Sequence, residues 1–295
     1  MTHSDLRIDL HAHSTCSDGT DTPSELLHAA AAAGLDVVAL TDHDTTAGWE
    51  AARASVPAGL TLVPGMEWSC AWHHRTGRAV SVHLLAYLFD PSADAMLAEQ
   101  RRLRTERRRR LHTMAARMTD DGLPVDPERL LTQLDADLPV GRPHLARVLV
   151  DAGVATSIDD AFARYLTSSR RYYVPREDTP VEQAIEMVAA AGGVSVLAHP
   201  FAYRRGPTID ADAITGLAAL GLTGIEVDHP DHDGEARQEL RALAAKHDLL
   251  VTGSSDYHGA NKPIPIGAET TDPAVLAELC SLARGSTVSM GEGRR

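Results

Sequence analysis

The stretch "LRIDLHAHSTCSDGTDTPSELLHAAAAAG", residues 6–34, passes from one kind of structure to another. It opens with an apolar run ending in His11 and His13, crosses a loop of small residues carrying Asp18, and continues as an alanine-rich segment. Thr22, Pro23 and Glu25 occupy the N-cap, N1 and N3 positions of a helix, and Gly34 stands where it stops. A capping box, a proline in the first turn and a glycine end together predict those limits. Strand, loop and helix in this order make one βα unit.

The rhythm recurs. Seven short apolar runs read as buried strands: "LRIDLHAH" (6–13), "DVVALTDHD" (36–44), "LTLVPGMEW" (60–68), "AVSVHLLAYL" (79–88), "GGVSVLAHP" (192–200), "LTGIEVDHP" (222–230) and "LLVTGSSDYH" (249–258). None alternates cleanly, which is the pattern of parallel strands covered on both faces. "TPVEQAIEMVAAAGG" (179–193) repeats the capping device with Thr179 as cap, Pro180 and Glu182, and further helices are predicted around 210–220, 234–247 and 273–284. Residues 92–174 break the pattern: they hold no strand and several helical runs, among them 96–118, 142–153 and 158–166. Without that stretch, seven strand–helix units of about 30 residues each remain, the usual size of such a unit. The expectation is a seven-stranded α/β barrel from residues 1–91 and 175–295, interrupted by an inserted helical subdomain at 92–174.

Composition sets limits on function. The 295-residue chain is 43% hydrophobic and 23% charged, with a net charge of −13. That balance disfavours broad attraction to membranes or to duplex DNA, yet permits an anionic substrate where bound cations invert the local field. The three cysteines (Cys16, Cys70, Cys280) are far apart, against a disulfide framework or a thiolate zinc site. The first residues lack the charged and apolar regions of a leader, and no apolar run reaches membrane-spanning length, so a cytoplasmic protein is expected. Oligomeric state is left open.

Of 15 histidines, six (His11, His13, His43, His83, His199 and His258) fall at or near the C-terminal ends of the predicted strands. Glu67 and Asp256 hold equivalent positions, and Asp18 and Asp42 lie beside them. Barrel enzymes assemble their sites from that face. A lone histidine at a strand end is ordinarily a hydrogen-bonded loop residue. His11 and His13, two apart on a strand, project to the same side and can share an ion. Convergence of imidazoles and carboxylates from six strands points to bound metal. With no thiolate in the set, Mn²⁺, Zn²⁺ and Fe²⁺ are the candidates, Mn²⁺ first. Nine donors exceed one ion's needs, so two to three divalent ions are expected, a pattern suited to hydrolysis of phosphoesters or amides.

HAHS (11–14), Asp18, TDHD (41–44), Glu67, His83, AHP (198–200) and SDYH (255–258) resemble the polymerase and histidinol phosphatase (PHP) domain family. The resemblance implies a distorted (β/α)7 TIM-like barrel and a trinuclear site. One ion would take His11, His13, Glu67 and Asp256. A second would share Glu67 and add His83 and His199. The third would use Asp18, His43 and His258, with Asp18 standing where some members have histidine. Asp42 is expected to orient His11 or His43. Within the family, "GRPHLARVL" (141–149) and "GIEVDHPDH" (224–232) resemble stand-alone phosphoesterases that act on nucleoside 3′,5′-bisphosphates or on short RNA ends, although Asp228 stands where an aromatic residue is expected.

These expectations define a metal-dependent phosphoesterase in which a metal-bridged hydroxide attacks the phosphorus of a small phosphorylated substrate, a nucleotide or a short RNA end. Arg142 and His144 in the Gly-Arg-Pro-His turn, with Arg204 and Arg205 after the "AHPF" loop, are candidate substrate-binding groups. His229 and His232 are candidate proton donors to the leaving oxygen, alongside Asp18, Asp42 and His43 as catalytic candidates. The insertion would cap the substrate. Seven arginines in "RRLRTERRRR" (101–110) read as a solvated helix, with an RNA-backbone contact as the other reading. Competing assignments are histidinol-phosphate phosphatase, a metal-dependent C–N hydrolase and a non-catalytic PHP module.

Overall fold

The computed structural model describes residues 6–291 except 75, 76 and 78; of Arg205 it describes the backbone only. The chain divides into two compact units, one made of residues 1–98 with 178–295 and one of residues 99–177.

The first unit is built on strands β1 (Ile8–Asp9), β2 (Val37–Leu40), β3 (Thr61–His73), β4 (Ala79–Tyr87), β5 (Thr179–Pro180), β6 (Val194–Ala198), β7 (Gly224–Asp228), β8 (Leu250–Gly253) and β9 (Ser289–Met290). The main sheet runs β1-β2-β3-β4-β6-β7-β8, while the two-residue strands β5 and β9 pair with β3. A parallel bridge between Ala12 and Tyr257 brings the first and last strand ends together, so the seven strands nearly close. All seven expected strands are present, and the distorted barrel follows from one departure. β4 is antiparallel to both β3 and β6, where a parallel strand was expected. The reason is the connection: only residues 74–78 separate β3 from β4, and a parallel crossover needs a dozen or more. An apolar run carries no direction, so the sequence pattern could not reveal this. His83 consequently reaches the rim from the middle of β4, opposite Ala198, instead of from a strand's C-terminal end.

The strands are apolar because both faces are covered. Ile8, Leu10, Val63, Leu85, Tyr87, Val196 and their neighbours form one fully or nearly fully buried cluster. Burial of each such aliphatic side chain stabilises the fold by about 1.5–3 kcal/mol. The Tyr87 hydroxyl donates to the Leu10 carbonyl at 2.7 Å, which satisfies its polar end within the core.

The helix Pro23–Ala32 begins as its sequence specifies: the Glu25 amide donates to the Thr22 hydroxyl at 3.2 Å and the Thr22 amide to the Glu25 carboxylate at 2.8 Å. The second capping device works differently from expectation. Helix Val181–Ala190 is capped by Pro180, and Thr179 lies in β5 beside Cys70. The Thr179 hydroxyl is taken by the indole N–H of Trp68 at 3.0 Å, a tertiary partner that outcompetes a local cap.

The second unit is helical throughout its described elements. The helix Asp94–Asp120 enters it, followed by Pro127–Thr132, Arg142–Asp151, Ile158–Ala161 and a π-helical turn at Phe162–Leu166. Leu111, Met114, Met118, Leu145, Leu149 and Leu166 lie in its own buried core. Among the described residues no helix is long and apolar enough to cross a membrane.

Candidate metal centre

Loops leaving β1, β2, β6 and β8, together with side chains within β3 and β4, bring nine donors to the rim of the barrel. His11 and His13 continue the line of β1 and are completely buried. His11 Nε2 and His13 Nε2 lie 3.0 Å apart. Glu67 Oε2 is 3.2 and 3.1 Å from them, and Asp256 Oδ1 3.5 and 3.4 Å. Four donors bound to one ion at about 2.1 Å in a tetrahedron stand roughly 3.4 Å apart. The donor set therefore fits a divalent ion.

The tautomers agree. His11 Nδ1 faces the Glu226 carboxylate at 3.1 Å and so carries the proton, leaving the Nε2 lone pair directed at the donor group. His258 donates from Nδ1 to the Asp256 carbonyl at 2.8 Å, which points its Nε2 at Asp18 Oδ1, 3.3 Å away. Asp18, His43 and His258 form a second group that His13 also joins through Nδ1. Among the described residues, buried Asp18 Oδ1 finds no hydrogen-bond donor, an orphaned oxygen that a cation would satisfy.

Glu67 links this rim. Its Oε2 meets His11, His13 and, at 3.0 Å, His43 Nδ1. Its Oε1 meets His83 Nδ1 at 2.7 Å and His199 Nε2 at 3.0 Å. His43, Glu67 and His83 make a third compact group. Two ligand candidates sit in left-handed backbone, His199 at φ 31° and Asp256 at φ 53°. Non-glycine residues adopt that conformation only where the surroundings impose it, and it recurs at functional sites.

The electrostatics follow from packing carboxylates and imidazoles together out of water. Burial opposes the charged form of His11, yet Glu67, Asp256 and Glu226 outweigh it and hold its pKa well above the ordinary value. His13 is lifted to about 9 against the same burial cost, chiefly by hydrogen bonds to Asp256 and Glu67. Burial likewise opposes the charged forms of Asp18 and Glu67, but the surrounding imidazoles pull both carboxyls well below the carboxylate range. Burial drives His43 and His258 downward, toward the neutral form that a metal ligand requires.

Other expected residues have different surroundings. Asp42 does not orient His11 or His43. Its carboxylate accepts from the Ser14 amide and hydroxyl and the Ser17 hydroxyl at 2.8, 2.6 and 2.6 Å, and so pins the loop after His13. Glu226 orients His11 in its place. It lies in the apolar run of β7, inside the "GIEVDHPDH" stretch but not singled out there, and also accepts from the His199 amide and the Ser254 hydroxyl. Lys262 went equally unmarked; its Nζ lies 2.6 Å from Asp256 Oδ2.

His229 is buried, with Nδ1 accepting from the Asp231 amide and Nε2 3.4 Å from Asp256 Oδ2. His232 donates from Nδ1 to the Val227 carbonyl and accepts at Nε2 from the Phe201 amide. Both its nitrogens are held by backbone, so His232 ties two loops together and has no proton free for a leaving group. Arg204 is exposed in the turn Tyr203–Arg205, and the side chain of Arg205 lies outside the described residues. Asp228, where an aromatic residue was expected, is bound by Arg241 at 2.6 Å and Arg237 at 3.3 Å. Trp68, adjacent to Glu67, is wholly buried.

In the helical unit, Arg142 opens helix Arg142–Asp151 and donates to the Leu166 carbonyl at 3.0 Å, while His144 Nδ1 accepts from the Gly141 amide. The arginine run is not uniformly solvated. Arg102 and Arg109 pair with Glu99 and Glu106, whereas Arg107 and Arg110 are turned inward.

A near-closed barrel whose rim gathers six imidazoles and three carboxylates defines a metal-dependent phosphoesterase, and comparison with known proteins agrees. The sequence profile of the PHP domain matches residues 9–122. A 3′,5′-nucleoside bisphosphate phosphatase from Chromobacterium violaceum is 34% identical over 252 residues, covering 85% of this chain and 87% of the relative. The 5′-3′ exoribonuclease Rnm of Escherichia coli is 34% identical over 275 residues, 90% of each chain. A solved structure from Bifidobacterium adolescentis, assigned as a metal-dependent phosphoesterase, superposes with a TM-score of 0.87 at 36% identity over 95% of this chain and 97% of that one. The chain belongs to the PHP family.

Proposed function

We propose that the protein hydrolyses a phosphate ester of a nucleotide-like substrate, either the 3′-monoester of a nucleoside 3′,5′-bisphosphate to leave the 5′-monophosphate, or the terminal phosphodiester of a short oligoribonucleotide, which it trims. The observation that carries this reading is the full set of nine converging donors in a chain that aligns along most of its length with relatives of those two activities. The names of these relatives favour a nucleotide or RNA phosphoester over histidinol phosphate, and phosphoester over C–N cleavage. The nitrogen and oxygen donors suit two to three ions, Mn²⁺ before Zn²⁺ or Fe²⁺.

Divalent ions in these groups would supply Lewis-acid charge for the phosphoryl oxygens and a hydroxide at neutral pH. The chain's own residues supply the rest. Glu67 presents one oxygen to each side of the cluster and fixes the spacing of the donor groups. Glu226 holds the proton on His11 Nδ1, and Asp42 holds the loop carrying Asp18 through Ser14 and Ser17. His229 keeps its Nε2 proton pointed at the rim because its Nδ1 is occupied by the Asp231 amide, and it is the proposed proton donor to the leaving oxygen. The helical unit is assigned substrate selection, with Arg142 and His144 as its contributions, and Arg204 and Arg205 are assigned to the barrel side.

Inorganic phosphate release from adenosine 3′,5′-bisphosphate by Mn²⁺-loaded protein tests this, with wild type and His13→Ala compared. The expected result is rapid release leaving the 5′-monophosphate, lost in the variant. Release of 5′-mononucleotides from short RNA, with no phosphate released from the bisphosphate, would select the second substrate. No release from either by metal-replete protein would overturn the assignment.

A further inference from the structure

Asp256 presents its two oxygens to different neighbours. Oδ1 lies 3.5 and 3.4 Å from His11 Nε2 and His13 Nε2, within the donor group they form with Glu67. Oδ2 accepts from Lys262 Nζ at 2.6 Å and lies 3.4 Å from His229 Nε2. The residue is 2% exposed and its backbone sits in the left-handed region at φ 53°, so the carboxylate is held in this attitude by its surroundings.

Lys262 is placed by a loop that is itself tied down. It follows the short turn Gly259–Asn261. The Tyr257 hydroxyl donates to Asp21 at 2.7 Å, the Ala260 amide to the Thr20 hydroxyl at 2.8 Å, and the Asn261 side-chain amide to the Asp18 carbonyl at 2.7 Å. Two rim loops bound to each other thus carry the ammonium to the carboxylate, while the lysine side chain stays 30% exposed. Its charge is also felt by a second ligand candidate. After burial, Lys262 contributes most to holding His258 below the ordinary histidine range.

A carboxylate that meets an ion can bind it through one oxygen or through both. Binding through both would use two positions on the same ion, and catalytic centres need positions left open. A charge-assisted bond from Lys262 must be broken before Oδ2 can turn to the ion. The same ammonium is a like charge beside the ion and weakens its binding. An apolar side chain of similar reach would do neither.

We propose that Lys262 is a positioning residue that keeps Asp256 a one-oxygen ligand and so holds a coordination position open for the reaction. This role rests on the metal centre, whichever phosphate ester is cleaved.

The test compares full-length wild type, Lys262→Met, Lys262→Arg and Lys246→Met, the last removing a positive charge from the exposed end of helix Gly234–His247. Mn²⁺ is titrated into chelator-treated protein, with unbound metal read from its electron paramagnetic resonance signal. Lys262→Met is expected to bind the ion held by Asp256 about tenfold tighter, having lost a like charge and gained an oxygen. On Mn²⁺-loaded enzyme its kcat is expected to fall about tenfold with KM little changed. Lys262→Arg keeps the charge and a donor and should recover most of both properties, and Lys246→Met should match wild type. A crystal structure of Mn²⁺-loaded protein should show Asp256 bound through Oδ1 alone in wild type and through both oxygens in Lys262→Met.

Weaker Mn²⁺ binding by Lys262→Met would overturn the proposal, because Lys262 would then only support the carboxylate. So would tighter binding with kcat intact, which would reduce Lys262 to a like charge, or a rise in KM alone, which would make it a substrate contact. Both Asp256 oxygens on the ion in wild type would overturn it directly. Turnover is measured on adenosine 3′,5′-bisphosphate and on p-nitrophenyl phosphate. Failure of wild type to cleave the first would sink the nucleotide assignment alone, and the titration with p-nitrophenyl phosphate would then decide the role of Lys262.

Discussion

Glu226 shows how a residue with no role in binding substrate can set the chemistry of the rim. Its carboxylate takes the proton of His11 Nδ1, and with that proton fixed, His11 Nε2 is a lone pair aimed at His13, Glu67 and Asp256. Glu226→Gln keeps the size but can turn an N–H toward His11, favouring the wrong tautomer. The expected consequence is about 10–100-fold weaker binding of the ion held by His11, His13, Glu67 and Asp256, the usual cost of losing such a partner. Metal titration of chelated protein reads it directly, and unaltered affinity would show that His11 is oriented by packing alone. His13 gives a second prediction at this scale. Its pKa is raised from the ordinary value to about 9, so the metal-free fold retains a proton that an ion must displace. The stability this proton contributes is complete below about pH 6.5 and disappears as pH rises through about 9. Metal affinity has the opposite sign and should improve by about tenfold per pH unit across the same window before levelling. Mn²⁺ titrations at three pH values within that window check the slope; a flat profile would contradict it.

Among the elements, the loop from Ser14 to Gly19 delivers Asp18 to the rim through a close approach of backbone to backbone. A Cβ added at Gly19 would lie 2.3 Å from the His13 carbonyl oxygen, well inside contact distance. Gly19→Ala must therefore displace the segment carrying Asp18, while the groups on β3 and β8 stay in place. Metal analysis of the purified variant should show loss of the ion bound by Asp18, His43 and His258 and retention of the one bound by His11 and Asp256. Loss of all bound metal would mean that the loop supports the whole rim. The Thr22 cap makes a contrasting case on the following helix. Thr22→Ala should lower unfolding stability by about 1 kcal/mol and leave turnover per bound ion unchanged.

The Thr22 capping box and the His11–His13 pair were legible beforehand because each is written in neighbouring residues. The strands and the ordered donors at their ends were legible for the same reason. The capture of Thr179 by Trp68 and the contact of Glu226 with His11 escaped because the partners are distant in the chain. The reversal of β4 and the Lys262–Asp256 contact are local features that no apolar run or motif marks. The arginine run falls between the two cases. Its helix was readable, but its inward residues are defined by Val140, Val174 and Tyr173, which the run does not contain.

At the scale of the molecule, charge is divided unevenly between the two units. The helical unit carries 15 arginines against 12 acidic residues, a net of +3. The remainder has 13 basic against 29 acidic residues, a net of −16, although its rim is where the cations of the reaction are expected to bind. An anionic substrate would thus meet a protein that is repulsive overall and attractive at the metal centre. Attraction to partly exposed groups is screened over about 8–10 Å at ordinary ionic strength, and the effect grows with the number of charges on the ligand. Screening of the attraction to the cation-loaded rim, as salt is raised from about 50 to 300 mM, should therefore reduce kcat/KM more steeply for adenosine 3′,5′-bisphosphate than for p-nitrophenyl phosphate, which has one phosphate. Long-range repulsion by the acidic barrel acts in the other direction and should raise both rates with salt, the bisphosphate more strongly. The sign of the difference between the two slopes consequently reports which field the substrate encounters. A steeper fall for the bisphosphate means that attraction to the cation-loaded rim governs its approach. A rise would mean that the net charge of −13 dominates it.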